Sequence, residues 1–123
     1  MLKSMLIVGT GSFFGGALRF YISHLMKHLC GAGFPWGTLA VNLLGCLVIG
    51  FIYGIFLRFG SPTSSWHLLL TTGLCGGFTT FSTFAYEGQQ MLQSGNMPEF
   101  LLYACASVFI GISLVFLGIW MIK

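Results

Sequence analysis

The chain has 123 residues, of which 56% are hydrophobic and only 6% charged, with a formal net charge of +3 at pH 7. That balance lies far outside soluble globular domains and defines an integral membrane protein. With no basic run and no acidic tail, the charge gives no case for nucleic acid as a partner; at most it favours anions near the mouths of a membrane structure.

A helix that crosses a bilayer needs about 20 apolar residues. The sequence divides into four such runs, residues 2–25, 37–59, 67–92 and 100–122, joined by short loops in a single domain, 1–123. Lys3 could be the charged region of a leader, but no small-x-small cleavage site follows, so the first run is expected to be a retained span. Its string GTGSFFGG faintly resembles a phosphate loop, yet no strand precedes it. Gly11 and Gly15 read instead as a GxxxG face that lets another helix approach closely. Arg19 has two readings: it snorkels to the interface, or it lines a wet vestibule that draws in anions. His24 and His28 stand at metal-binding spacing, but no thiolate or carboxylate is evidently placed to complete a site, so a headgroup-level position is the better reading.

Phe34 and Trp36, in the loop 30–36, suit the headgroup region. The one strongly polar residue of the second span is Asn42, whose amide must face protein or water, either to tie two helices together or to line a passage. Gly50 and Gly54 repeat the GxxxG device, and GSPTSS over 60–65 is a turn followed by Trp66 as an interface anchor.

The third span carries TTGLCGGFTTFSTF over 71–84, in which an apolar run meets three helix-weakening glycines and a Thr/Ser-rich segment. A break in a helix at membrane depth survives only where protein buries it or water reaches it. If the helix stops near Gly73, Gly76 and Gly77 and restarts, one half offers carbonyls that suit a small cation and the other offers N–H groups that suit an anion. Phe81 and Phe84, three apart, share a helix face, and their positive ring edges can hold a dehydrated anion. Thr79, Thr80, Ser82 and Thr83 add hydroxyl donors. Glu87 is either interfacial or paired with Arg19. In the fourth span Tyr103, Ser107 and Gly111 follow one face at steps of four, and Trp120 and Lys123 close it. Cys30, Cys46, Cys75 and Cys105 form no CxxC pair and read as small packing residues.

GLCGGFTTFSTF over 73–84, GTLAVNLLG over 37–45 and the Gly-rich first span ending in Leu18-Arg19 together closely resemble the Fluc (CrcB) family of bacterial fluoride channels, in the same order and spacing along nearly the whole chain. The resemblance implies an all-α membrane protein of four transmembrane helices with the third broken at mid-membrane, assembled as an antiparallel, dual-topology homodimer with two pores in the bacterial inner (plasma) membrane. It places Asn42 at a pore-lining position with Thr38 one turn earlier. It puts Tyr103 and Ser107 on a polar track from which Gly111 departs by lacking a hydroxyl. It also implies a structural sodium ion at the dimer centre, held by the backbone carbonyls of Gly76 and Thr79 from both copies.

Independently of resemblance, Lys3, Arg58 and Lys123 fall on one side and Lys27, with Arg19, on the other, a weak bias that lets a chain insert either way round. Four thin spans can hardly enclose a pore alone. The expected function is therefore a passive, fluoride-selective channel exporting cytoplasmic fluoride, its ion held by Asn42, Ser82, Thr83, Tyr103, Ser107 and the edges of Phe81 and Phe84. The rival is a small four-span proton-coupled exporter of organic cations, which wants a membrane carboxylate in the first span; the only acids here are Glu87 and Glu99. No nucleophile or buried His/acid constellation suggests an enzyme.

Overall fold

The computed structural model describes residues 1–31, 33–60 and 65–122. The turn expected over 60–65 falls mostly on residues outside that set, as does Lys123. Four helical segments are long and apolar enough to cross a membrane: Leu2–Cys30, Trp36–Phe59, Ser65–Gln93 and Met97–Ile122.

Local chemistry sets most of the ends. The first helix runs past residue 25 to Cys30 and stops at Gly31, whose φ of 84° suits a residue without a Cβ. The second starts after Pro35, which cannot donate a backbone hydrogen bond. Between the third and fourth segments, Gly95 takes a φ of 80° and Asn96 N–H closes back onto Met91 O at 2.9 Å, tying off the helix end. The fourth begins with Pro98 and Glu99 in its first turn, which suits a positive helix N-terminus.

The third segment changes form along its length. It opens with an α-helical turn, Ser65–Leu68, widens to a π-helix over Leu69–Cys75 and returns to α-helix over Gly76–Phe78. Thr79 (φ −89°, ψ 159°) and Thr80 (φ −149°, ψ 122°) are extended, and helix resumes over Phe81–Gln93. The glycines therefore do not mark where helical backbone stops: Gly73, Gly76 and Gly77 are all helical, and the extended pair follows them.

Two of those glycines serve packing. A Cβ on Gly77 would lie 2.7 Å from Ser12 Cα, and one on Gly73 would lie 3.1 Å from Gly11 Cα. Gly11 answers from the first span, where a Cβ would meet Leu74 N at 2.7 Å. The first GxxxG thus presses the first span against the residues 65–78 of the third, and Ser12 Oγ donates to Gly73 O across the seam at 3.2 Å. The second GxxxG does the same between second and fourth spans: a Cβ on Gly54 would come within 3.2 Å of Ile119 Cα, and one on Gly118 within 2.6 Å of Leu47 O. Gly76 is different, since it is exposed and its nearest neighbour would be Thr71 O at 3.8 Å.

These seams leave a thin bundle. Val41 and Tyr103 are fully buried, but Phe13, Phe20, Phe81 and Phe116 all remain more than two-thirds exposed. So much apolar surface requires lipid or another copy of the chain to cover it.

Candidate functional site

Side chains from two other spans hold the extended pair Thr79–Thr80 and the helix end before it. Thr80 N–H donates to Asn42 Oδ1 at 2.8 Å, and Asn42 Nδ2 donates to Thr80 O at 3.1 Å. One amide side chain thus satisfies both backbone groups of a residue that has left the helix ladder. Upstream, Arg19 Nε donates to Gly77 O at 3.2 Å, taking one of the carbonyls that the helix end leaves free. Thr79 closes onto Cys75 O through both its N–H and its hydroxyl, each at 3.0 Å.

Downstream, Thr80 caps the new helix. Its Oγ1 accepts from Thr83 N at 3.2 Å and donates to Thr83 Oγ1 at 3.1 Å. Threonine followed three residues later by a hydrogen-bonding side chain is a start signal readable in sequence, and it would have placed the restart at Phe81.

That restart aims two rings. Phe81 is 78% exposed, and Phe84 sits beneath it with ring centroids 5.8 Å apart and planes tilted by 44°. Phe84 in turn meets Tyr103, centroids 4.9 Å apart. Tyr103 is wholly buried and its hydroxyl donates to Glu87 Oε1 at 3.1 Å. Glu87 and Arg19 therefore make separate contacts within the chain, the first with Tyr103 and the second with Gly77.

Two cavities flank this arrangement and divide the expected residues between them. One, of about 640 Å³, is lined by Arg19, Lys27, Thr38, Thr83, Glu87 and Glu99 among others. The other, of about 550 Å³, is lined by Asn42, Gly76, Thr79, Phe81, Phe84 and Ser107, and by the thiols of Cys46 and Cys75. Tyr103 lines neither, but it touches Phe84 of one and Glu87 of the other, so it stands at the partition. Ser82 lines neither cavity and is exposed, its Oγ 3.4 Å from Thr80 Oγ1.

Ser107 lies in a second π-helical stretch, Ala106–Ile110, and its Oγ is buried with no hydrogen-bond partner among the described residues. A buried hydroxyl left unpaired costs about 1–3 kcal/mol. The Tyr103–Glu87 bond and the two cavity thiols were not legible in sequence, because each depends on which way a helix is turned.

Four helices long and apolar enough to cross a membrane, packed around an irregular backbone segment beside two cavities, are the architecture of a multi-pass membrane protein. The model of the CrcB family, described as "CrcB-like protein, Camphor Resistance (CrcB)", matches residues 6–119. The chain is 47% identical over 121 residues to the "Fluoride-specific ion channel FluC" of Leptospira interrogans, covering 98% of this chain and 95% of that protein. It is 46% identical over 120 residues to the protein of the same name from Phocaeicola vulgatus, covering 98% of each. To that of Thermus thermophilus it is 42% identical over 117 residues, covering 95% of this chain and 93% of the relative. The chain belongs to the CrcB family, whose members so named are ion channels and not enzymes.

Proposed function

We propose that this chain is a passive, fluoride-selective channel that exports fluoride from the cytoplasm across the bacterial inner membrane. The observation that carries the reading is the Asn42 clamp on Thr80, which holds Phe81 and Phe84 over a cavity whose Ser107 hydroxyl lacks a partner. Fluoride is small and strongly hydrated, so its passage requires donors in place of water. Ser107 offers a free O–H, and the helix beginning at Phe81 turns its positive end toward the same region. The ring edges of Phe81 and Phe84 add positive potential without mobile charge. On this reading the ion exchanges between the two cavities past Phe84 and Tyr103, with Thr38, Ser82 and Thr83 as further donors and Arg19 concentrating anions at the mouth.

The reading includes an antiparallel, dual-topology homodimer with two pores and a third span broken at mid-membrane. Exposed Phe81 is the residue a second copy would cover. It also includes a sodium ion held by the carbonyls of Gly76 and Thr79 from both copies. Backbone oxygens suit a hard cation, exposed Gly76 leaves room beside it, and two oxygens from one chain are too few, so the second copy must complete the set. The ion's charge would stabilise the facing helix ends; no step of fluoride transfer is assigned to it. Cation export by proton exchange is the less favoured reading, because of the two acids lining a cavity Glu87 is already bonded to Tyr103 and Glu99 lies in the first turn of the fourth span, while the first span holds no acid.

Fluoride efflux from liposomes, read with a fluoride electrode beside a chloride control, tests the proposal. Wild type should release fluoride fast and chloride little, and Phe81→Ile or Asn42→Ala should abolish the release. Folded, inserted wild type that retains fluoride would refute it.

A further inference from the structure

Gly111 interrupts the row of polar side chains on the fourth span, one helical turn beyond Ser107. It is buried, and it is not among the residues that line the 550 Å³ cavity. What covers it is Cys46: a Cβ built on Gly111 would lie 3.3 Å from Cys46 Sγ, with Leu43 Cδ2 next at 4.0 Å. Cys46 is itself half-buried and does line the cavity. On the second span it stands four residues after Asn42, as Gly111 stands four after Ser107, and Asn42, Cys46 and Ser107 all line the cavity.

We infer that the Cys46 thiol is a wall of the fluoride path, supplying from the second span, at the level of Gly111, the donor that the fourth span lacks there. The inference rests on the channel reading above and adds a residue to it. The thiol carries one S–H, a weak donor that tolerates apolar surroundings when no anion is present and can turn toward one that passes. Ser107, which lines the same cavity, gives independent support, since its buried Oγ has no partner among the described residues and an anion in the cavity would meet both groups in turn. The cavity's other thiol, Cys75, is only 3% exposed, so Cys46 is the better placed of the two.

A packing cysteine and a path cysteine predict opposite orders of variants. If Cys46 only fills space, alanine is harmless and serine, which buries a stronger polar group, is the worse change. If it donates to fluoride, serine works at least as well as cysteine and alanine fails. In reconstituted full-length protein, C46A should lower initial fluoride efflux by roughly three- to tenfold, the factor a single neutral hydrogen bond supplies. C46S should restore it, with the chloride control unmoved in both. In C46A the space beside Gly111 opens, so the double variant C46A/G111S should regain part of the lost rate by returning a hydroxyl to the fourth span. Methyl methanethiosulfonate provides a second readout: it forms a mixed disulfide with the thiol, releasing methanesulfinate, and should block wild type. C46S, which keeps the other three cysteines, should resist. Wild-type rates in C46A, or equal block of wild type and C46S, would overturn the assignment while leaving the channel reading in place. A wild type that releases no fluoride would overturn the channel reading, and this assignment with it.

Discussion

The Asn42 amide bonds both backbone groups of one residue, Thr80, and that sets what each substitution there should do. Alanine leaves the half-buried N–H and C=O of Thr80 without their side-chain partner, at about 1 kcal/mol for each bond lost. Asn42→Asp is the sharper probe, because it keeps an acceptor for Thr80 N–H but sets a carboxylate oxygen against Thr80 O. Both variants should lose fluoride efflux. Asp should also lower the thermal stability of the detergent-solubilised protein at least as far as Ala does, if bracing the backbone is the main role of the amide. An Asp variant as stable as wild type would mean that the amide nitrogen matters little to Thr80. Thr80 itself makes the matching case: Thr80→Val removes the cap on Thr83 N–H and should cost about 1 kcal/mol, whereas Thr80→Ser should retain it. Thermal unfolding of the two variants side by side checks this, and equal midpoints would remove the cap from the account.

At the scale of helices, the third span separates what sequence tells from what it hides. Its apolar length and its mixture of glycine, threonine and phenylalanine marked it as irregular, and hydropathy alone gave the number of spans, though not the end of the first, which runs on to Cys30. The position of the extended pair was not so plain, because glycine weakens a helix in water and also permits close helix packing in lipid. Gly73 and Gly77 serve the second purpose, a fact visible only once the first span is seen against them. The same limit hid the Tyr103–Glu87 bond, which joins residues on different spans through their rotation. A contrast among the glycines follows. Gly77→Ala would drive a Cβ to 2.7 Å from Ser12 Cα, where backbone and not a flexible side chain must yield, so it should destabilise by about 1–3 kcal/mol. Gly76→Ala, with 3.8 Å of room, should leave the monomer's stability within about 0.5 kcal/mol of wild type. If the two prove equal in thermal unfolding, the seam between first and third spans is not as tight as its geometry states.

For the molecule as a whole, the thin bundle and its exposed Phe81 pose the question of what lies opposite. Lys3 and Arg58 sit at one end of the spans and Lys27 at the other, too even a division to fix orientation through positive charge alone. The proposed antiparallel pair can form only if the chain inserts both ways, which so weak a bias permits. The prediction is one of complementation. Two added lysines beside Lys3, at Leu2 and Met5, should hold that end in the cytoplasm, and added lysines beside Lys27, at His28 and Leu29, should do the reverse. Each biased chain expressed alone should be present in the membrane yet leave cells as sensitive to fluoride as cells without the protein, because every copy then points the same way. Expressed together, the two should restore resistance, since opposite orientations can pair again. The lysine sites lie in exposed positions away from the Asn42–Thr80 clamp, so lost resistance cannot be assigned to damage there. If either biased chain protects cells by itself, copies pointing the same way suffice. Exposed Phe81 would then have to meet lipid or a parallel neighbour, and the antiparallel pore would be the wrong account of how four thin spans enclose an ion path.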